Sequence, residues 1–208
     1  RFRWPDNYFQ GSWSISYHKK EYSNIEPNYE EYLKRQLYGN TKLTEVQIAQ
    51  VISRDSRDMP EFPTQGSKFT WRSSLAGGPL GGNEAYHKHK LSFKFFSPLF
   101  WEFVLMNHMQ FGAIKSIGDQ GIVPPEERFI MGGAGMIYGV ALRGYEDNRV
   151  GPLFSSNRYY LTGGKTLFKY SLELRLSISK QPTIYALTFA EAGNVWQSLN
   201  TTDPFHLK

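Results

Sequence analysis

From Phe168 to Ser177 the chain alternates without a slip: Phe168, Tyr170, Leu172, Leu174 and Leu176 fall on one side, and Lys169, Ser171, Glu173, Arg175 and Ser177 on the other. Successive side chains of an extended strand point to opposite faces, so such a run is a wall with one apolar and one polar face. The pattern recurs. Phe9, Trp13, Ile15 and Tyr17 oppose Gln10, Ser12, Ser14, Ser16 and His18; Phe69, Trp71 and Leu75 oppose Lys68, Thr70, Arg72 and Ser74; Leu91, Phe93 and Phe95 oppose Lys88, Lys90, Ser92 and Lys94. Trp101, Phe103, Leu105, Met109 and Phe111 form another apolar face, interrupted by Asn107, and Val46, Ile48 and Ile52 form a weaker one shared with Gln50. With a stub at Arg1 to Trp4 and a last strand near Thr183 to Ala192, roughly eight strands are expected.

Composition says which medium the apolar faces meet. Aromatic residues make up 16% of the chain, with 13 Tyr, 15 Phe and 5 Trp, yet mean hydropathy is −0.49. A membrane β-barrel has this profile, because lipid-facing apolar residues and lumen-facing polar residues cancel in the average. The longest uncharged apolar run, about Phe129 to Leu142, is glycine-broken and shorter than the ~20 residues of a spanning helix. Cysteine is absent, which excludes disulfide scaffolds and thiolate metal sites. The net charge of +5 is spread among strand residues rather than gathered in a run, so nucleic acid is not an expected partner.

The connections are of two kinds that alternate along the chain. Trp4 to Asn7, Ser53 to Gly66, Ser97 to Phe100 and Lys180 to Pro182 are mostly short turns, whereas Glu21 to Leu43, Ala76 to Ala85 and Ile117 to Lys165 are long loops. Short periplasmic turns alternating with long external loops are the topology of an outer-membrane barrel; a soluble sandwich or lipocalin has no reason to keep that rule. The expected fold is therefore an antiparallel transmembrane β-barrel, present here in part, with external loops at about 21–43, 76–85 and 117–165. Glu30 to Leu37 reads as an exposed, charged helical turn or two.

Within the longest loop a glycine-rich stretch, Gly132, Gly133 and Gly135, leads to Leu142-Arg143-Gly144-Tyr145. A long external loop that folds back into a lumen needs a tether, and an arginine offers several donors to a carboxylate in fixed geometry. Alternation puts Glu173 on the polar face of the strand that follows the loop, which makes it the natural partner of Arg143. Gly144, Gly132, Gly133 and Gly135 would permit close backbone approach or a positive φ.

Four segments in order, Ser53 to Asp58 with Phe62 to Gly66, Phe129 to Gly135, Leu142 to Tyr145, and Phe189 to Trp196, resemble the BamA family of outer-membrane assembly factors, and Trp4 to Phe9 resembles a turn from one bacterial branch of it. The resemblance implies a sixteen-stranded barrel preceded by POTRA domains, of which this chain, starting at Arg1 and ending at Lys208, would hold about the sixth to the thirteenth strand as an incomplete barrel domain. It implies the outer membrane of a Gram-negative bacterium, nascent barrel proteins as clients, accessory assembly lipoproteins, and contact with outer-membrane lipid and lipopolysaccharide, with no cofactor. The family's loop motif falls on Leu142, Arg143, Gly144 and Tyr145, and its barrel-wall acids on Glu173 and Glu191. Simple parity is at odds with the second acid: Glu191 shares a face with Tyr185, Leu187 and Phe189, which would send it to lipid, where an ionised carboxylate is costly. Either a bulge near Ala190 re-aims it, or those three residues face inward, or Glu191 lies beyond the membrane zone.

Enzymatic readings are weak. His87 and His89 share a strand face and could hold a metal, but two histidines beside Tyr86 at an interfacial strand end are the better explanation of the pair. No Gly-x-Ser-x-Gly motif is present, and the glycine-rich stretch lacks the Lys-Ser/Thr of a phosphate-binding loop. Two other functions compete with barrel assembly. A two-partner-secretion or translocation pore would share Arg143, and a porin-like nutrient channel would carry charged residues along its constriction loop, which Ile130 to Leu142 lacks.

Overall fold

The computed structural model describes residues 6–25, 27–118, 121–134, 139–152, 162–180, 182–203 and 205–208. The expected stub at Arg1 to Trp4, the first residues of the turn after it, and Gly135 lie outside the described residues. One antiparallel sheet holds β1 (Phe9–Glu21), β2 (Lys42–Asp55), β3 (Gly66–Ala76), β4 (Tyr86–Pro98), β5 (Phe103–Ser116), β6 (Thr166–Lys180) and β7 (Thr183–Trp196) in chain order. Among the described residues the sheet does not close on itself, and β1 and β7 are its edges. Each strand pairs with the next one in sequence over nearly its full length, as short turns and hairpin loops require.

Register carries the alternation from strand to strand. Opposed residues of an antiparallel pair share a face, and Lys68↔Lys94, Lys94↔His108, His108↔Ser171 and Ser171↔Glu191 define one polar rung across five strands. On the other face Trp13, Ile15, Tyr17, Phe93, Phe95 and Met109 are exposed. Asn107 on that face accepts a hydrogen bond from the Tyr170 hydroxyl at 2.7 Å, so its amide oxygen does not face an apolar medium unpaired.

The long connections gather at one end of the strands. An α-helix, α1 (Pro27–Gln36), lies in the β1–β2 connection. It is longer than the turn or two expected and is not simply exposed: Tyr32 and Leu33 are buried with Leu37, Leu43 and Ile122. Its charges, the Glu30–Lys34 and Glu31–Arg35 pairs, mask a stripe that docks on the β5–β6 loop. Lys20 ties the same loops together, lying 3.3 Å from Glu45, 3.1 Å from Glu84 and 3.4 Å from Glu126. Arg128, also buried, donates to the Tyr32 hydroxyl at 3.0 Å and to Gln36 Oε1 at 2.7 Å.

The β5–β6 loop folds over the polar face and packs on it. Phe129 and Met131 are buried with Leu142, Val140 and Val150 against Tyr86, Ile114, Leu167 and Val195. Bridges Phe129↔Gly164, Met131↔Val140, Met131↔Val150 and Gly133↔Leu142 satisfy the loop's backbone locally. Room for it comes from glycines on the wall: a Cβ at Gly112 would run into the Phe129 ring, and one at Gly193 would meet the Met131 thioether.

Two outcomes follow from this packing. Gly112→Val should push Phe129 off β5 and lower the refolded barrel's unfolding midpoint by an amount equivalent to about 1–3 kcal/mol, with faster proteolysis inside 117–165. Burial raises the Glu84 carboxyl, against the pull of Lys20 and with help from Glu45 and Glu126, to about 7. A folded value above the unfolded one means that the stabilising contribution is fully present below pH 4.5 and is lost as pH rises through 7. Urea unfolding at pH 5 and pH 8 should therefore show Glu84→Gln gaining on the parent protein by on the order of 2 kcal/mol at the higher pH.

Candidate functional site

Arg143 sits where the β5–β6 loop crosses β6 and β7. A turn brings it there: Gly133 N–H donates to the Tyr145 carbonyl at 3.0 Å and Leu142 N–H to the Gly133 carbonyl at 3.0 Å. Leu142 is fully buried beneath the loop, and Tyr145 is exposed. Gly133 has φ of 62° with the Asp147 side chain packed where a Cβ would be, and Gly132 is likewise closed in by the backbone of residues 146–149. Gly144 differs: its φ of 91° demands glycine, but open space surrounds it, so no close approach occurs there.

One guanidinium nitrogen bridges two strands. Arg143 Nη2 donates to Glu173 Oε1 at 2.6 Å and to Glu191 Oε1 at 2.7 Å, and the Arg143 backbone N–H donates to Glu191 Oε2 at 2.9 Å. Glu191 thus holds both the side chain and the main chain of the loop residue. The arrangement is not a two-pronged fork on one carboxylate but a single donor shared between neighbours. The guanidinium also lies over the Phe189 ring, 3.6 Å from its centroid, a cation–π contact of roughly 0.5–2 kcal/mol.

The acids are themselves held in place. Lys169 Nζ and Ser171 Oγ both donate to Glu191 Oε1, at 3.0 Å and 2.9 Å, while Arg175 grips Glu173 Oε2 through Nε at 2.8 Å and Nη2 at 2.6 Å. With Lys169 and Glu191 side chains 6% and 4% exposed, each charge needs its partner, since an unpaired buried charge is costly. The two acids keep Arg143 charged, Glu191 contributing most and burial opposing.

The direction of Glu191 follows from register. No bulge occurs near Ala190; the one irregularity in the β6–β7 pairing lies at Ser177/Ser179. Glu173↔Phe189, Arg175↔Leu187 and Ser177↔Tyr185 put all three large residues on the polar side with Glu191, the second of the three alternatives. Small residues, Ala186, Thr188, Ala190 and Ala192, occupy the outward face of β7. Hydrophobicity misreads this strand because Phe189 serves as the platform for Arg143 and Tyr185 packs on Phe62 at 4.6 Å.

A family model described as the Omp85 superfamily domain matches residues 1–207. The chain belongs to the Omp85 superfamily. Among curated proteins, the outer membrane protein assembly factor BamA of Nitratidesulfovibrio vulgaris (strain Hildenborough) is 35% identical over 101 residues, 49% of this chain and 12% of that protein. The crystal structure of BamA from Haemophilus ducreyi lacking POTRA domains 1–3 superposes with a TM-score of 0.72 at 19% identity, over 92% of this chain and 40% of that one. This Omp85 chain thus spans a minor part of the proteins it matches and has the fold of a stretch of BamA-type barrel wall. Its sheet belongs to the outer membrane of a Gram-negative cell, with the polar face as lumen and the aromatic face toward lipid.

Four contributors to the site have no role assigned from sequence: Lys169, Ser171, Arg175 and Phe189. Three of them lie on the inward register of Glu173, and that register is the signal that finds them. His87 and His89 face lipid, their rings 5.4 Å apart, with His89 stacked near Trp71. No cluster of three or more metal-ligating side chains occurs among the described residues.

Because Glu191 holds Arg143 twice and Lys169 once, Glu191→Gln should cost more than Glu173→Gln, by about 1–3 kcal/mol. Equilibrium unfolding of both variants, each with and without Arg143→Ala, checks the order: the Arg143 coupling should be larger to Glu191.

Proposed function

We propose that this chain is the barrel wall of an outer-membrane assembly factor that folds and inserts client barrel proteins, in keeping with the name of its 35% identical relative. The observation that carries this against a diffusion channel is the Arg143 clip, which a translocation pore would share. A loop drawn into the lumen and pinned to β6 and β7 by Glu173 and Glu191 occupies space that a diffusion channel would keep open. The loop's sequence from Ile130 to Leu142 carries no charged side chain, so that stretch offers a solute no charge selectivity.

In this reading the assembly work is done without bond-making chemistry. Strand edges template a client by backbone pairing, so that its N–H and C=O groups are paired before they meet lipid. The pinned loop keeps the wall's shape while an edge elsewhere in the whole barrel opens. Clients, accessory lipoproteins and lipopolysaccharide are partners of the whole protein in this proposal, and the described residues provide the wall and the clip.

Depletion in the native cell separates the alternatives. Many unrelated outer-membrane barrels should decline together; loss of a single exported protein would instead mean a translocation pore. Arg143→Ala should reproduce a partial version of the depletion while the protein still reaches the membrane, and Arg143→Lys, which restores charge but not the shared planar donor, should rescue it incompletely.

A further inference from the structure

The lumenal face of β3 and β4 sets like charges directly opposite each other twice. Lys68 pairs across from Lys94 and Arg72 across from Lys90, with Thr70 opposite Ser92 between them. Cross-strand neighbours on one face have Cβ atoms about 4.5–5.5 Å apart, and like charges so placed destabilise a sheet. Nearby acids relieve only Lys68. Asp55 is taken by Arg57 at 2.7 Å and by Lys68 at 3.2 Å, and Glu173 by Arg143 and Arg175. Arg72, Lys90 and Lys94 have no ion-paired carboxylate among the described residues, and both lysines are half-buried.

These side chains surround a cleft of about 230 Å³ whose lining contains five cations, several neutral donors and no acid. The Thr70–Ser92 rung forms its floor, with His108 beside it, 3.0 Å from the Ser92 hydroxyl. That rung is two residues, about 7 Å, from each like-charge pair, within reach of a lysine stem from both sides. A sheet that accumulates repulsion around a donor-lined hollow is built for a counter-charge. We propose that this cleft is an anion site that takes a phosphate-bearing group. Phosphate fits better than a carboxylate because lysines act as point charges toward a compact oxyanion, whereas planar carboxylate recognition is arginine's, and Arg72 is the one arginine of the lining whose fork is not already on a carboxylate. A soluble phosphate and a lipid headgroup present the same chemistry to it.

Titration calorimetry with inorganic pyrophosphate on the full protein in detergent, at low salt, tests this. Lys90→Gln/Lys94→Gln should weaken binding about a hundredfold, roughly tenfold for each charge-assisted hydrogen bond removed. The control Lys19→Gln/Lys42→Gln, with the same net charge change, should leave it within about twofold. The first variant should also unfold later than the parent in the absence of phosphate, since its repulsion is relieved, which separates a failure to bind from a failure to fold. Absence of pyrophosphate binding, equal weakening in both variants, or stronger binding of hexaglutamate than of pyrophosphate overturns the proposal. In lipid nanodiscs, pyrophosphate affinity reduced by phosphatidylglycerol relative to phosphatidylcholine identifies a headgroup as occupant; equal affinity identifies a soluble phosphate.

Discussion

Glu191 is the group around which the lumenal side of this wall is organised. Its two oxygens accept from the Arg143 side chain and backbone, from Lys169 and from Ser171, so one carboxylate on β7 joins the loop to β6 and β7 at once. Burying that charge is unfavourable by itself. It becomes favourable only because the loop delivers a cation and an N–H together, and the loop can do so only because its own backbone is paired and its apolar residues have somewhere to go. Phe129 over Gly112 and Met131 over Gly193 are thus as much part of the clip as the ions. Ordering a long loop costs about 1–2 kcal/mol per residue in backbone entropy, and no single arginine could offset that.

The division of the wall into two faces explains why the clip can exist in a membrane protein. Aromatic and aliphatic residues on the outer face satisfy lipid, and the polar Asn107 there is partnered by Tyr170. Within the strand interiors the Lys, Arg, Asp and Glu side chains face the lumen, where water, other charges and the folded loop receive them, while outward charges such as Lys19, Arg54 and Lys115 lie toward strand ends. At the external end the same logic recurs with Lys20 of β1, which joins Glu45 of β2 to Glu84 and Glu126 on two different loops.

Strand positions and facing are legible in the sequence because alternation is a local signal that a lipid-exposed wall cannot violate cheaply. The polar face of β6 and the pairing of Arg143 with Glu173 follow directly from it. Two features are not legible in this way. Parity misassigns β7, because the inward Phe189, Leu187 and Tyr185 are larger and more apolar than the outward Ala186, Thr188 and Ala190; hydrophobicity alone names lipid-facing residues only when the lumen beside them is wet, and here a guanidinium covers it. Helix α1 reads as exposed because its surface charges outnumber the buried stripe of Tyr32 and Leu33, whose partner Ile122 lies far along the sequence, beyond four further strands. Non-local docking leaves no local trace.

The absence of cysteine allows the central claim, that the loop is held in the lumen by Arg143, to be measured without background. Leu142→Cys, at a position fully buried beneath the loop, is compared with Tyr145→Cys, exposed just beyond the clip, by the rates at which each is labelled with a membrane-impermeant maleimide in intact outer membranes. The account predicts labelling at 142 slower than at 145 by about a hundredfold or more, with most of that protection gone when Arg143 is replaced by alanine. Equal rates at the two positions with Arg143 in place, or protection at 142 that survives its removal unchanged, would contradict it.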